Sequence, residues 1–204
     1  MLELIQKHSL AYKINKINKI FIERTKYYIN MKIAIYGPMC SGKTTVANII
    51  KDLDPRYEIF SFGQKIKEIA SDLFEMEGKN RSLLINIADK MREIDEDIWA
   101  KYIIKQTKNK DFCIIDDLRF QNELNYLDDW IIISLTTSDD IRIQRLKKIY
   151  PDTYHDHIKN MKHKSETDTL IFPKENTIYL DTNIDYEILK SKINEYLIFG
   201  LKNE

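Results

Sequence analysis

The apolar run Ile33-Ala34-Ile35-Tyr36 leads straight into Gly37-Pro38-Met39-Cys40-Ser41-Gly42-Lys43-Thr44-Thr45, and this junction restricts the fold more than any other stretch of the chain. The segment satisfies the pattern G-x-x-x-x-G-K-[ST] at every fixed position. Its two glycines let the backbone wrap until several N–H groups face one anion, and the helix that must follow adds its positive N-terminal end. Gly37, Cys40, Ser41, Gly42, Lys43, Thr44 and Thr45 are therefore the candidate nucleotide contacts. Lys43 is expected to reach the β- and γ-phosphates of ATP, and the Thr44 hydroxyl to sit on Mg²⁺. The chain holds only five glycines, and two of them fall here, which argues against an ordinary turn.

At 204 residues the chain is long enough for one good core and short for two full domains. Its 32 basic and 32 acidic residues cancel, so no overall field points to nucleic acid or an anionic membrane as partner. The only cysteines, Cys40 and Cys113, are far apart and form no C-x-x-C pair, which predicts a reducing, cytoplasmic setting and no zinc site. Apolar runs are strand-sized, so no membrane span is expected. Residues 1–30 stand apart: Lys7, Lys13, Lys16, Lys19, Arg24 and Lys26 face only Glu3 and Glu23, a surplus of four positive charges. They read as a partly helical or disordered basic extension, with the main domain spanning 31–204.

After the loop, helical spacing covers Thr44 to Leu53 and Asp54-Pro55 ends it, while Tyr57 to Phe62 reads as a strand. Gly63 opens a helix over Gln64 to Glu77, with further helices over Arg81 to Ile94 and Asp97 to Lys108, so region 63–108 is a helical insertion. Phe112 to Asp117 is a buried strand with an acidic tip, and Trp130 to Leu135 is another. Ser138 and Asp139 offer cap chemistry before a helix over Ile141 to Tyr150, then come a strand at Asn176 to Leu180 and a helix at Tyr186 to Phe199. Strands alternating with helices predict an α/β fold with a mostly parallel central sheet and a site at the strands' C-terminal edge.

Asp116 and Asp117 end their strand where a carboxylate would complete the metal site begun by Thr44. Arg119 lies two residues beyond, and Arg92 sits on an inserted helix; both can fork onto a phosphate. Arg142 and Arg145 share one helix face at the start of a basic, His-rich region, 139–168, that reads as a lid over a triphosphate. His155, His157 and His163 fit no zinc spacing and read as polar lid residues. No N-K-x-D guanine-reading motif occurs in register after the third strand, which argues against a GTP-driven switch.

From Met31 to about Asp168 the chain resembles the deoxynucleoside monophosphate kinases of bacteriophages and other DNA viruses, a branch of the P-loop nucleoside monophosphate kinases. The likeness rests on the loop, on Ser61-Phe62-Gly63-Gln64-Lys65-Ile66-Lys67, on Arg92 with Asp97-Ile98-Trp99, on Asp117-Leu118-Arg119-Phe120-Gln121-Asn122-Glu123, and on His163-Lys164-Ser165-Glu166. The resemblance implies a three-layer P-loop kinase fold with a helical substrate-binding insertion and a lid. It implies that Phe62, Lys67, Arg92, Trp99, Arg119, Phe120 and Glu166 form the acceptor site. Lys43, Arg119, Arg142 and Arg145 would act on the transferring phosphoryl group, with Thr44, Asp116 and Asp117 at the metal. Asp116 departs from the family pattern, so which aspartate serves the metal stays open. The expected activity is transfer from ATP to a deoxynucleoside monophosphate, with no nucleic acid or membrane required and a homodimer left open. A kinase of another phosphorylated acceptor, such as phosphomevalonate, and a nucleotide-switched binding module are the alternatives.

Overall fold

Runs too apolar to face water on either side are stable only between helical layers, and here they join into one parallel sheet. The computed structural model describes residues 31–199, so the reading of residues 1–30 lies outside it. Strands β1 (Lys32–Tyr36), β2 (Glu58–Phe60), β3 (Cys113–Leu118), β4 (Ile131–Thr136) and β5 (Thr177–Asp181) stand in the order β2-β3-β1-β4-β5. Every pairing is parallel. Ile33, Ala34, Ile35, Cys113, Ile114 and Ile115 in the central strands are at most 1% exposed.

Parallel neighbours need crossovers, and helices supply most of them. α1 (Lys43–Leu53) follows β1. α2 (Phe62–Phe74), α3 (Arg81–Ile94) and α4 (Ile98–Thr107) separate β2 from β3, as the spacing predicted. The short α5 (Gln121–Leu124) precedes β4; α6 (Asp139–Ile149), α7 (Tyr154–Lys159) and α8 (Lys164–Thr167) precede β5; and α9 (Tyr186–Phe199) follows it. From β1 the chain crosses to the edge position of β2, returns to insert β3 between β2 and β1, and then builds β4 and β5 on the other side, so a crevice opens at the C-terminal tips of β1 and β3, where such sheets place their ligands.

Two boundaries differ from the sequence reading for physical reasons. Phe62 is not the end of a strand but the first residue of α2. Asp117 accepts hydrogen bonds from Phe62 N at 2.7 Å and Gly63 N at 2.8 Å, giving the helix an anion at its N-terminus one residue earlier than Gly63 alone would suggest. The same helix stops at Phe74 rather than Glu77, because Glu75 turns left-handed at φ 49°.

Trp99 belongs to the core. It is 3% exposed, packs in the cluster that joins α2, α3 and α4 to β3, and donates from Nε1 to the Ala88 carbonyl at 3.2 Å. The expectation that it lines an acceptor site is corrected by this burial. Among the described residues, no helix is long and apolar enough to cross a membrane.

Candidate functional site

The loop between β1 and α1 is shaped by close approach. A Cβ on Gly37 would come within 2.6 Å of Ser41 Oγ and 3.1 Å of Leu135 Cβ, while Gly42 holds φ at 99°, a conformation that side chains disfavour. Cys40 is also left-handed at φ 60°, so the loop stores backbone strain of the kind found where main chain is aimed at a ligand. Lys43 donates to the Gly37 and Pro38 carbonyls at 2.7 and 2.9 Å. Burial, and then the charge of Arg119, pull its pKa well below the usual lysine value, so an arriving anion would favour its charged form.

In a regular strand, Asp116 and Asp117 would point to opposite faces. β3 instead slips by one residue against β1, pairing Ala34 with Ile115 but Tyr36 with Leu118, and this bulge brings both carboxylates to the cavity wall. Their partners then separate their roles. Asp116 Oδ2 accepts from the Thr44 hydroxyl at 3.2 Å. Asp117 is spent on α2, accepting from Ser61 Oγ at 2.7 Å as well as from the two backbone N–H groups. Burial, and then the neighbouring Asp117 charge, push Asp116 up to about 6. Thr44 and Asp116 together offer the hard oxygen donors that magnesium prefers, whereas Asp117 is already satisfied.

A cavity of about 590 Å³ runs from this loop to α3, within the size range of small-molecule sites. α3 presents one stripe to it: Arg81, Leu84, Ile85, Ala88, Asp89 and Arg92, spaced i, i+3, i+4, i+7, i+8 and i+11. Arg92 lies 4.2 Å over the Phe120 ring and pairs with Asp89 at 3.1 Å and Glu123 at 3.4 Å. Burial, opposed by the Arg92 charge, raises Glu123 to about 7. His163 Nδ1 faces the Ser165 N–H at 3.2 Å, which assigns the Nε2 proton to Asp89 at 3.1 Å. Seven cationic side chains line the cavity, Lys43, Lys67, Lys79, Arg81, Arg92, Arg119 and Arg145, against the carboxylates of Asp89, Asp116, Asp117 and Glu123. The excess is positive, so the space suits an anion.

Of the residues singled out from sequence, Cys40, Gly42, Lys43, Thr44, Thr45, Phe62, Lys67, Arg92, Asp116, Asp117, Arg119, Phe120 and Arg145 meet at this cavity. Gly37 and Ser41 shape the loop from behind. Arg142 does not line the cavity: it is buried, donating from Nε to the Met39 carbonyl at 2.9 Å and pairing with Asp139 at 2.6 Å. Arg145 donates to the Cys40 carbonyl at 3.1 Å and the Thr182 carbonyl at 2.7 Å, fastening α6 to the loop rim. Glu166 also lies beneath the surface rather than in the cavity, its side chain fully buried. His157, read from the sequence as a polar lid residue, lies within region 139–168 but faces inward. It is buried, stacked on Tyr150 with centroids 4.3 Å apart, with Nδ1 3.2 Å from the Met39 sulfur. Burial, and then Lys79, lower its pKa.

Arg81, Lys79, Asp89 and Thr182 were not anticipated. Arg81 was within reach of sequence reasoning, because eleven residues are close to three helical turns and place it on the Arg92 face of α3. Thr182 had no signal at all, since its contacts with Arg145 and the Ser41 carbonyl bridge segments far apart in the chain.

No curated protein matches the sequence. Among solved structures, a gluconokinase from Sinorhizobium meliloti 1021 superposes with a TM-score of 0.55 at 12% identity, covering 82% of this chain and 91% of that one. A shikimate kinase from Acinetobacter baumannii gives 0.51 at 17% identity, covering 85% and 96%. A sugar kinase from Janibacter sp. HTCC2649 gives 0.53 at 15% identity, covering 84% and 96%. At these identities the likeness is one of fold, and it is the fold of P-loop kinases. The sequence matches the AAA domain family over residues 33–167. With the phosphate-binding loop, the parallel sheet and its order in place around that match, the chain belongs to the AAA domain family.

Proposed function

We propose that this chain is a kinase that transfers the γ-phosphoryl group of ATP to the phosphate of a deoxynucleoside monophosphate. One observation carries the reading: a single cavity is lined both by the phosphate loop with Lys43 and by Arg81, Arg92 and Arg119 from α3 and the end of β3. Three arginines besides the loop lysine are more phosphate-binding groups than one triphosphate tail needs, which suits two phosphorylated molecules meeting end to end. An acceptor phosphate oxygen is already anionic. It attacks the γ-phosphorus while the bond to the β-phosphate oxygen breaks and ADP leaves, so no base has to remove a proton. What the protein contributes is positioning and charge neutralisation. Thr44 and Asp116 would hold Mg²⁺, which supplies charge neutralisation along the triphosphate.

The apolar surroundings support nucleotides on both sides. Phe62 and Phe120 line the acceptor wall, and Ile149, Ile184, Tyr186 and Leu189 line the donor end beyond Arg145. The buried anchoring of α6 by Arg142 and Arg145 supports region 139–168 as a cover that excludes water from the transfer.

A coupled ADP-release assay over the four deoxynucleoside monophosphates, with phosphomevalonate, gluconate and shikimate alongside, tests this. At least one monophosphate should give acceptor-dependent turnover, and Lys43→Ala should lower it at least about 100-fold while the protein still melts cooperatively. Turnover with none of the monophosphates removes the acceptor assignment. Full activity in Lys43→Ala removes the reading of the loop.

A further inference from the structure

Glu166, on α8, is a carboxylate with a fully buried side chain enclosed by the site's arginines, and it reaches groups that are 127, 85 and 47 residues away. Its two oxygens divide the work. Oε2 accepts from the Met39 N–H of the phosphate loop at 2.5 Å and lies 3.7 Å from Arg142. Oε1 accepts from Arg81 at 2.5 Å and from Arg119. Two guanidinium groups sharing one oxygen atom have nitrogens within about 5 Å of each other, close enough to engage oxygens of one phosphoryl group. Without a counter-charge they would repel.

We infer that Glu166 is a positioning residue that locks Arg81 and Arg119 into a paired clamp and ties that clamp to the phosphate loop. The inference rests on the phosphoryl-transfer reading above and adds to it Glu166 as the residue that pairs Arg81 with Arg119. Both arginines line the cavity while Glu166 does not, so the carboxylate works through them and not on the ligand. Arg81 Nε is buried without a partner in the described structure, a donor held ready for an acceptor atom. Burial works against the Glu166 charge, but Arg119, Arg81, Lys43 and the Met39 N–H together hold its pKa below the usual carboxylate value, so it stays a counter-ion at neutral pH. Joining both halves of the site through one side chain fixes the distance between the attacking group and the phosphoryl group, the quantity on which transfer depends most steeply.

Charge and geometry make opposite predictions for Glu166→Gln, which separates positioning from simple support. Losing the negative charge leaves the cavity more positive, so anion binding should hold or tighten. Losing the lock on both guanidinium groups should slow transfer. The experiment pairs steady-state kinetics on the full chain, using an acceptor active in the panel above, with titration calorimetry of inorganic tripolyphosphate, which needs no acceptor to be known. Expected for Glu166→Gln is a kcat lowered at least 10-fold with tripolyphosphate affinity weakened no more than 2-fold. Glu166→Asp keeps the charge but falls short in reach, and it should be slow as well. Arg81→Lys, which keeps the charge and removes the fork, should show the same split and serves if the Glu166 variants do not fold. A kcat within 2-fold of the parent, or kcat and tripolyphosphate affinity falling in equal proportion, overturns the inference. If no acceptor is turned over by the parent protein, the acceptor reading fails by itself, and an Arg81→Ala protein that binds inorganic phosphate, with the loop already filled by tripolyphosphate, as tightly as the parent does then removes the clamp independently.

Discussion

Replacing Asp117 by alanine tests the division of labour between the two adjacent carboxylates. α2 is a 13-residue helix whose Ser61 hydroxyl and Phe62 and Gly63 N–H groups all donate to Asp117. Alanine leaves these donors without a protein acceptor and removes a negative charge from the positive end of the helix. Ser61, Phe62 and Gly63 line the cavity, so water can replace part of the lost bonding, and each backbone N–H should cost about 1 kcal/mol, the low end for an unmade bond. The charge at the helix terminus adds about 0.5–1 kcal/mol. The total is about 2–3 kcal/mol, which for a domain of this size lowers the melting temperature by roughly 5–10 °C. Differential scanning fluorimetry and urea unfolding would read it. Asp116→Asn, by contrast, should lower turnover without this loss. An Asp117→Ala protein that melts within 1 °C of the parent refutes the capping role, and so does one that loses activity with unchanged stability.

Asp116→Asn also has a pH signature, measured as urea midpoints without magnesium. Because the folded carboxyl is raised to about 6, the native state takes up this proton before the unfolded chain does. Its penalty is therefore full above pH 6 and fades as pH falls towards 4, so Asp116→Asn should be more stable than the parent by about 1–3 kcal/mol at pH 7.5 and indistinguishable near pH 4. A gain that does not change with pH refutes the cause. Trp99→Phe should lose about 1–3 kcal/mol of stability through the missing bond to the Ala88 carbonyl and the smaller ring, with the acceptor KM within 2-fold of the parent. A large rise in KM at unchanged stability would return Trp99 to the acceptor site.

The amino-acid sequence by itself determined the phosphate loop, the alternation of strands and helices and the acidic tip of the third strand. These are local properties: loop chemistry lies within eight consecutive residues, and strand or helix character lies in the spacing of apolar side chains along a short window. Even Arg81 was legible in the helical period it shares with Arg92. The tertiary structure decided what depends on distant partners. Asp116 and Asp117 are equivalent as text, and only a slipped register with β1, the Thr44 hydroxyl and the N-terminus of α2 tell them apart. Trp99 and Glu166 have the residue types of a binding site, yet the packing of α2, α3 and α4 sends one into the core, and the loop and arginines enclose the other. Arg142 and Arg145 look alike on one helix face, but only Arg145 reaches the cavity wall. Side-chain roles are set by what the fold brings within hydrogen-bond distance, and pairs 47 to 127 residues apart leave no local trace of meeting.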